Sequence, residues 1–405
     1  MRNKGITILL IITFCFSCLF FNPVLANEDV EDAEYDALTV GKIMTTTSVM
    51  DLKAKSAILM DVNSGEVMYE KNAHEKLPIA SVTKIMTMLL VMEEIAQGRL
   101  TFEDMVYVTE NSYRMGGSQV YLEPGEQFTV DEMLKAVAIH SANDASVALA
   151  EKVAGSEEVF VDMMNKKAKE LGMNNTNFLD CSGLTDEGHY STAYDVALMS
   201  RELVLKHPKI LEYTSIWHDT FRNGTFSLDN TNKLIRYYQG VVNGIKTGYT
   251  SKAGYCLSAS ATKSGLNLIS VVLGEPDSNT RFAEARKLLD YGFSNFEPYH
   301  ANSRDEIVGS IEVKKGLKSR VNIKFRDDVN LLLKKGQKEK VTKEVKLPDN
   351  IEAPVYAGKS VGEVIYTIDG NVIGKADLVA DNTIERATFL KVMYRMIIDW
   401  FKVGR

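Results

Sequence analysis

Apolar and polar positions alternate in short runs at both ends of the first 300 residues and follow a helical period between them. Residues 55–61 and 66–70 predict a β-hairpin. From about 85 to 215 the pattern is mainly helical, strands are expected again within 234–272, and an amphipathic helix at 281–293 closes this part. This order predicts an α/β (α+β) fold, in which an antiparallel sheet is flanked by helices and carries a helical subdomain.

Further runs that alternate in strand fashion follow between residues 302 and 381, separated by Gly, Pro and Asn turns. They predict a small C-terminal β-rich domain at 302–381. The domain carries no recognisable catalytic group, and we interpret it as a spacer or docking module. The runs are 308–313, 321–325, 329–333, 341–345 and 361–368.

The N-terminus has the pattern of a signal peptide at 1–26. Arg2 and Lys4 precede an apolar run from 6 to 21, and small residues before Asn27 offer a cleavage site. The acidic stretch at 27–43 is typical of a solvated linker. We therefore expect an exported protein, secreted or held at the extracytoplasmic face of the membrane. An uncleaved N-terminal anchor is the alternative, although the apolar run is slightly short for a stable span.

The last residues, 383–405, predict an amphipathic helix. Leu390, Met393, Ile397 and Trp400 recur at helical spacing. Five basic residues against two acidic ones give the segment a charge of +3. We interpret it as a membrane-anchor helix that lies on an anionic lipid surface. A helix docked on its own domain, or in a dimer, is the alternative interpretation.

Composition narrows the classes of function. The 405 residues carry a net charge of −7, which argues against nucleic acid as a partner. Six histidines are scattered without metal-ligand spacing, and the sequence has no phosphate-binding glycine motif, so we expect neither a metal ion nor a cofactor. Once the signal is removed, Cys181 and Cys256 remain. One disulfide is an option for an exported chain, but two free thiols are the preferred interpretation.

Three short signatures point to a specific chemistry. A serine hydroxyl needs a neighbouring base to act as a nucleophile, and Lys84 follows Ser81 by one helical turn. Pro78 and the apolar run at 85–96 predict that both residues lie near the start of a buried helix. Each signature alone is weak, but their order along the chain is informative. They are Ser81-Val82-Thr83-Lys84, Ser141-Ala142-Asn143 and Lys246-Thr247-Gly248.

These signatures resemble those of penicillin-binding proteins and class A β-lactamases. The resemblance becomes narrower in the surrounding sequence, which is similar to the low-molecular-mass penicillin-binding proteins that are serine-type D-alanyl-D-alanine carboxypeptidases. It covers residues 44–298, the expected catalytic domain, and extends to the β-rich segment and the terminal helix. Ala142 departs from the glycine of many members. The matching stretches are ASVTKIMT, SANDASVALAE, NTNFLDCSGLTDEGHYSTAYD and GIKTGYTSKAGYCLSASA.

The resemblance implies catalytic roles for four residues. Ser81 is the expected acylated nucleophile, and Lys84 is the base that takes its proton. Lys84 must be neutral for this, so burial and the positive charge of Lys246 are expected to lower its pKa. Ser141 and Asn143 are expected to relay a proton and to hold the substrate amide.

The resemblance also implies a substrate-binding strand. Lys246 and Thr247, followed by Gly248, are expected to bind the terminal carboxylate of the substrate. The backbone N–H groups of Ser81 and Tyr249 would form the oxyanion hole. The implied reaction removes the terminal D-alanine from peptidoglycan stem pentapeptides through an acyl-enzyme on Ser81, and β-lactams would acylate the same serine.

Two other functions are alternatives. A β-lactamase would need an efficient deacylating base, and we find no E-x-x-x-N element in the expected loop. A non-catalytic wall-binding scaffold would be expected to have lost Ser81, Lys84 or Lys246, and all three are present.

The roles of several neighbouring residues are open. Asp180, Asp186 and Glu187 lie in a loop that could approach the site and activate the deacylating water, but we interpret them as solvated turn residues. Arg281 would either assist carboxylate recognition or form a surface ion pair on its helix. The segment 230–232 is interpreted as a structural turn.

Overall fold

The structure is a computed structural model that describes residues 50–185, 187–388, 391 and 393. The expected signal peptide at 1–26 and the acidic linker at 27–43 lie outside the described residues. Of the expected helix at 383–405, residues 383–388 are not helical, because Ile384 bridges Val355 and Arg386 bridges Gly316. Among the described residues, no helix is both long enough and apolar enough to span a membrane.

Sheet and helix alternate as far as residue 295, and the chain is then almost entirely β. In chain order, the helices are α1 (Lys84–Ala96), α2 (Glu110–Tyr113), α3 (Val130–Lys135), α4 (Asn143–Ala154), α5 (Glu157–Glu170), α6 (Ala193–Lys206), α7 (Ile210–Thr214), α8 (Leu234–Tyr237) and α9 (Ser278–Asn295). The strands of this part are β1 (Ser56–Asp61), β2 (Val67–Lys71), β3 (Met105–Tyr107), β4 (Gln127–Thr129), β5 (His218–Phe221), β6 (Phe226–Asp229), β7 (Val242–Thr250), β8 (Gly254–Lys263) and β9 (Leu266–Glu275).

A five-stranded antiparallel sheet in the order β2-β1-β9-β8-β7 forms the centre of this part. Successive side chains of a strand point to opposite faces of a sheet. Ile58 and Met60 of β1 therefore pack with the helical region, whereas Ala57 and Leu59 pack with α9. Every residue of β1 is buried because both faces are covered. Strand β7 lies at the edge of the sheet.

The second part is β-rich. Its strands are β10 (Phe296–Asn302), β11 (Ile307–Lys314), β12 (Arg320–Phe325), β13 (Val329–Lys334), β14 (Val341–Lys346), β15 (Asn350–Glu352), β16 (Ser360–Ile368) and β17 (Asn371–Ala380). Six of them form a sheet in the order β14-β16-β17-β12-β11-β15, and β10 pairs with β13. Phe325, Val364 and Tyr366 belong to its apolar core, which is separate from the two cores of the first part.

The expected fold class is confirmed by the central antiparallel sheet, the helical subdomain and the C-terminal β-rich part. The expected hairpin is formed by β1 and β2, and Cys181 and Cys256 are buried free thiols. Two details differ. Residues 234–237 form helix α8 rather than a strand, since Asn232 Oδ1 accepts the N–H of Leu234 at the helix start. The region expected to be mainly helical contains the antiparallel pair of β3 and β4.

Candidate active site

Ser81 lies in a 3₁₀ turn, Ala80–Thr83, that leads directly into α1. Lys84, three residues further, is the first residue of α1, so the two side chains lie on the same side of this turn. Ala80 has a φ of 49°, a left-handed conformation that is uncommon for residues other than glycine. The chain thus changes direction sharply just before the serine.

Lys84 is fully buried, and its Nζ has three oxygen neighbours. The distances are 2.9 Å to Ser81 Oγ, 2.6 Å to Asn143 Oδ1 and 2.7 Å to the carbonyl oxygen of Ser182. The amine of Lys84 therefore contacts a residue of the first signature, Ser81, and one of the second, Asn143. An amine at this distance from a serine hydroxyl is placed to take its proton.

Burial lowers the pKa of Lys84 to about 7, while Cys181, Asp180 and Asp144 act in the opposite direction. The positive charge of Lys246, which was expected to contribute, is not among the causes of this shift. Burial, and then the charge of Lys84, lower the pKa of Lys246 well below its usual value. A substantial fraction of Lys84 is neutral at pH 7.

The second signature follows a π-helical turn, Ala136–His140. Such turns are rare and are frequent at functional sites. Ser141 terminates the turn with a left-handed φ of 67°, and α4 begins at Asn143. The Asn143 amide is held on both sides, since its Nδ2 donates to the carbonyl of Gly116 at 2.7 Å and its Oδ1 accepts from Lys84. These bonds fix which end of the amide faces the lysine.

The third signature lies on edge strand β7. Lys246 is buried and donates to the carbonyl of Thr247 at 3.1 Å. Thr247 Oγ1 donates to Thr231 Oγ1 at 2.6 Å. A Cβ built on Gly248 would lie 2.6 Å from the carbonyl oxygen of Ile79 and 3.1 Å from the amide nitrogen of Ser81. Only glycine allows the strand to lie this close to the turn that carries the serine.

A cleft of about 310 Å³ opens between the sheet and the helical region at this point. Six of the eight expected site residues line it, and the other two, Lys84 and Lys246, are buried. Tyr249 is the most exposed of the six, and its ring contacts that of Tyr255 at 4.3 Å. The lining residues are Ser81, Gly117, Ser118, Ser141, Asn143, Gly183, Leu184, Thr231, Thr247, Gly248, Tyr249, Thr250, Tyr255 and Arg281.

Arg281 lines this cleft, and its burial argues against the surface ion pair that was one of the two interpretations of the sequence. The side chain is buried, and its Nη1 donates to the carbonyls of Gly248 and Cys256 at 3.2 and 3.3 Å. The surface ion pair on this helix is made by Arg286 with Asp290. Arg281 therefore places a cation beside strand β7 in the wall of the cleft.

Two further positions near the site differ from the sequence interpretation. The segment 230–232 is a turn, as expected, but Thr231 also lines the cleft. Asp180 is buried rather than solvated, and both of its carboxylate oxygens accept backbone N–H groups. Glu187 is exposed, and Asp186 lies outside the described residues. The sequence carries no local signal for Thr231, which contacts Thr247 on another element, or for the burial of Asp180.

The chain is similar to proteins of known activity. The family model for D-alanyl-D-alanine carboxypeptidase matches residues 43–277, and that for the penicillin-binding protein 5 C-terminal domain matches residues 296–386. The D-alanyl-D-alanine carboxypeptidase DacF of Bacillus subtilis is 46% identical over 360 residues, which cover 88% of this chain and 92% of the relative.

Solved structures agree. Penicillin-binding protein 5 from Haemophilus influenzae has a TM-score of 0.77 at 34% identity, covering 83% of this chain and 99% of that one. Penicillin-binding protein D2 from Listeria monocytogenes, in its ampicillin-bound form, has a TM-score of 0.55 at 35% identity over 60% of this chain and 98% of its own. On its sequence, its fold and these matches, the chain belongs to the D-alanyl-D-alanine carboxypeptidase family.

Proposed function

We propose that this protein is a serine D,D-carboxypeptidase that removes the terminal D-alanine from peptidoglycan stem pentapeptides and is acylated by β-lactams. The observation that carries the proposal is the 2.9 Å contact between Lys84 Nζ and Ser81 Oγ, with the lysine buried and its pKa lowered to about 7. A neutral amine beside a serine at the end of an open cleft is the arrangement that acyl transfer requires.

In the first step Lys84 takes the proton of Ser81, and Ser81 Oγ attacks the carbonyl carbon between the last two D-alanines. The peptide C–N bond then breaks, the proton passes to the leaving amine, and free D-alanine departs. Ser141, which lines the cleft, relays this proton. Water hydrolyses the acyl-enzyme in the second step. Asp180 is not available to activate that water, since its two oxygens are occupied by N–H groups.

The residues that recognise the substrate lie in and beside the walls of the cleft. Asn143 holds the substrate amide, and Lys246 with Thr247 binds the terminal carboxylate beside the buried Arg281. The backbone N–H groups of Ser81 and Tyr249 stabilise the oxyanion, each donor contributing about 2.7–4 kcal/mol. The narrow approach of Gly248 to Ser81 N supports this pairing, because it brings the two chain segments together.

Intact-mass spectrometry tests the proposal. The chain lacking residues 1–26 is mixed with a β-lactam and, separately, with a pentapeptide ending in D-Ala-D-Ala, and Ser81→Ala is the control. We expect a long-lived adduct on Ser81 and release of free D-alanine, both absent from the control. Rapid turnover of the drug with the peptide untouched would instead indicate a β-lactamase. The absence of both an adduct and a product would favour the non-catalytic scaffold alternative.

We further propose that residues 383–405 attach the enzyme to the membrane surface. The support is the apolar face of Leu390, Met393, Ile397 and Trp400 and the charge of +3 in an otherwise acidic chain. Sedimentation with vesicles that contain anionic lipid tests this. The full chain should sediment at low salt, and a chain ending at residue 388 should stay in solution. Equal sedimentation of both chains would exclude the anchor.

A further inference from the structure

The loop at 180–185 supplies one of the three oxygens around Lys84. A neutral amine has two N–H groups and one lone pair, and the oxygens of Asn143 and Ser182 that face it are able only to accept. Both N–H groups therefore point to these two oxygens. The lone pair is left facing Ser81 Oγ, 2.9 Å away. The position of the Ser182 carbonyl thus helps to decide where the base points.

Asp180 holds this loop from within. Its Oδ1 accepts from the backbone N–H of Ser182 at 2.8 Å, from the Ser182 hydroxyl at 3.1 Å, and from the N–H groups of Gly183 and Leu184. Its Oδ2 accepts from the N–H of Thr185 at 2.8 Å. Only 8% of Asp180 is exposed. One carboxylate therefore organises the whole loop, and its bond to the N–H of Ser182 lies on the residue whose carbonyl faces Lys84.

The loop is also pressed against the turn that carries the serine. A Cβ built on Gly183 would lie 1.9 Å from the carbonyl oxygen of Ala80 and 2.7 Å from Thr83 Oγ1. Thr87 Oγ1, one turn along α1 from Lys84, donates to the carbonyl of Cys181 at 2.6 Å. The loop has little room to move without changing the distance between Ser182 and Lys84.

From these contacts we infer that Asp180 is a positioning residue for proton transfer from Ser81 to Lys84, because it fixes the Ser182 carbonyl that orients the amine. The inference rests on the proposed function, in which Lys84 is the base. Asp180 touches neither the substrate nor the reacting atoms, and it acts through Ser182.

Asp180 also acts on Lys84 through its charge. Burial raises the pKa of Asp180, but His189 and the hydrogen bonds from Thr185 and Ser182 outweigh it and bring the pKa to about 2. The carboxylate is thus ionised at neutral pH, and with Cys181 and Asp144 it raises the pKa of Lys84 against burial. Lys246 is the nearby cation. Removal of the Asp180 charge therefore lowers the pKa of Lys84 further.

The test compares Asp180→Asn and Asp180→Glu with Asp195→Asn in the full chain. Asp195 is also buried and accepts from Asn175 N and Thr176 Oγ1, at 2.9 and 2.8 Å, but it is not among the charges that act on Lys84. Thermal unfolding establishes that each variant folds. Acylation by a fluorescent penicillin is then measured from pH 5 to 9, together with kcat and KM for release of D-alanine.

We expect Asp180→Asn to slow acylation about 10- to 100-fold and to lower kcat with little change in KM, because the base is misplaced by a fraction of an ångström. The acid limb, which is the rise of the acylation rate with pH at low pH, moves to lower pH, because loss of the Asp180 charge lowers the pKa of Lys84. Asp180→Glu keeps the charge but displaces the loop. The acylation rate therefore falls, while the acid limb keeps its wild-type position. Asp195→Asn is less stable than the wild-type protein but keeps its acylation rate and the position of its acid limb. If Asp180 had a purely structural role, Asp180→Asn would not shift the acid limb, and it would not lower kcat while leaving KM unchanged.

The inference would be overturned if a folded Asp180→Asn variant were acylated at the wild-type rate with the wild-type acid limb. Should both Asp180 variants fail to fold, Ser182→Ala, which removes one donor to Asp180 and keeps the carbonyl, provides the test. A slower rate with an unchanged thermal midpoint supports the inference, and a wild-type rate overturns it. If the wild-type protein itself is never acylated on Ser81, the proposed function fails, and that result is distinct from all of these.

Discussion

The backbone of Gly248 lies against the amide nitrogen of Ser81, so closely that a Cβ at position 248 would come within 3.1 Å of that nitrogen and 2.6 Å of the Ile79 carbonyl. The edge strand and the turn that carries the serine are therefore in direct backbone contact. The two proposed oxyanion donors, the N–H groups of residues 81 and 249, belong to these two segments.

Gly248→Ala should separate the strand from the turn. We expect acylation by a fluorescent penicillin to fall about 100-fold or more, since one displaced oxyanion donor costs about 10²–10³ in rate. Gly309→Ala is the matched control, because Gly309 lies in β11 and nothing lies within 4 Å of the place where a Cβ would be added. Retention of wild-type acylation by a folded Gly248→Ala would contradict the close packing described here.

The acylation rate should depend on the protonation of Lys84. The amine is neutral above its pKa of about 7, so the second-order rate of acylation should rise with pH below that value, about tenfold per pH unit, and level off above it. Lys84→Arg replaces the base with a group that stays protonated and should lose acylation at every pH tested. A wild-type rate that does not change between pH 5 and 8 would argue against Lys84 as the base.

Arg281→Met should weaken recognition of the substrate carboxylate. We expect KM for a peptide that ends in a free carboxylate to rise about tenfold, while a peptide amide, which lacks that charge, is affected less. The control is Arg286→Met on the exposed face of the same helix, where Arg286 pairs with Asp290. Equal losses for both peptides would indicate that Arg281 only supports the strand through the carbonyls of Gly248 and Cys256.

Tyr366→Phe should destabilise the C-terminal part alone. The Tyr366 hydroxyl is buried and donates to Asn302 Oδ1 at 2.6 Å, which links β16 to β10. Its loss leaves a buried acceptor without a donor and should lower the free energy of unfolding by about 1–3 kcal/mol. Exposed Tyr356→Phe is the control. Acylation should be unchanged in both variants, and a slower rate in Tyr366→Phe would show coupling between the two parts.

Much of this architecture could be predicted from the sequence because the relevant signals are local. The hairpin of β1 and β2, helix α1 and strands β7 to β9 each carry their own apolar period and turn residues. The helical turn between Ser81 and Lys84 also depends only on neighbouring residues. In contrast, four residues at 234–237 are too few to carry a period, so the sequence pattern does not distinguish the helix that they form from a strand.

The surroundings of the site could not be predicted, because they depend on contacts between distant residues. Lys84 meets the carbonyl of Ser182 across 98 positions, and Arg281 reaches Gly248 across 33. A loop aspartate such as Asp180 has the composition of a solvated turn, yet it is buried in a loop that packs against Ala80 through Gly183. The backbone carbonyl of Ser182 that contacts Lys84 cannot be inferred from the residue types.

The two buried lysines also affect the folding equilibrium. In the unfolded chain both amines have pKa values near 10.5, whereas in the folded chain Lys84 has a pKa of about 7 and Lys246 one well below its usual value. Between pH 7 and 10 the unfolded chain therefore binds more protons than the folded one. Folding releases protons in this range, and the contribution of these lysines makes the folded state more stable as pH rises. The burial that lowers the pKa of Lys84 thus makes the folded enzyme less stable at neutral pH than at alkaline pH, as far as these two lysines are concerned.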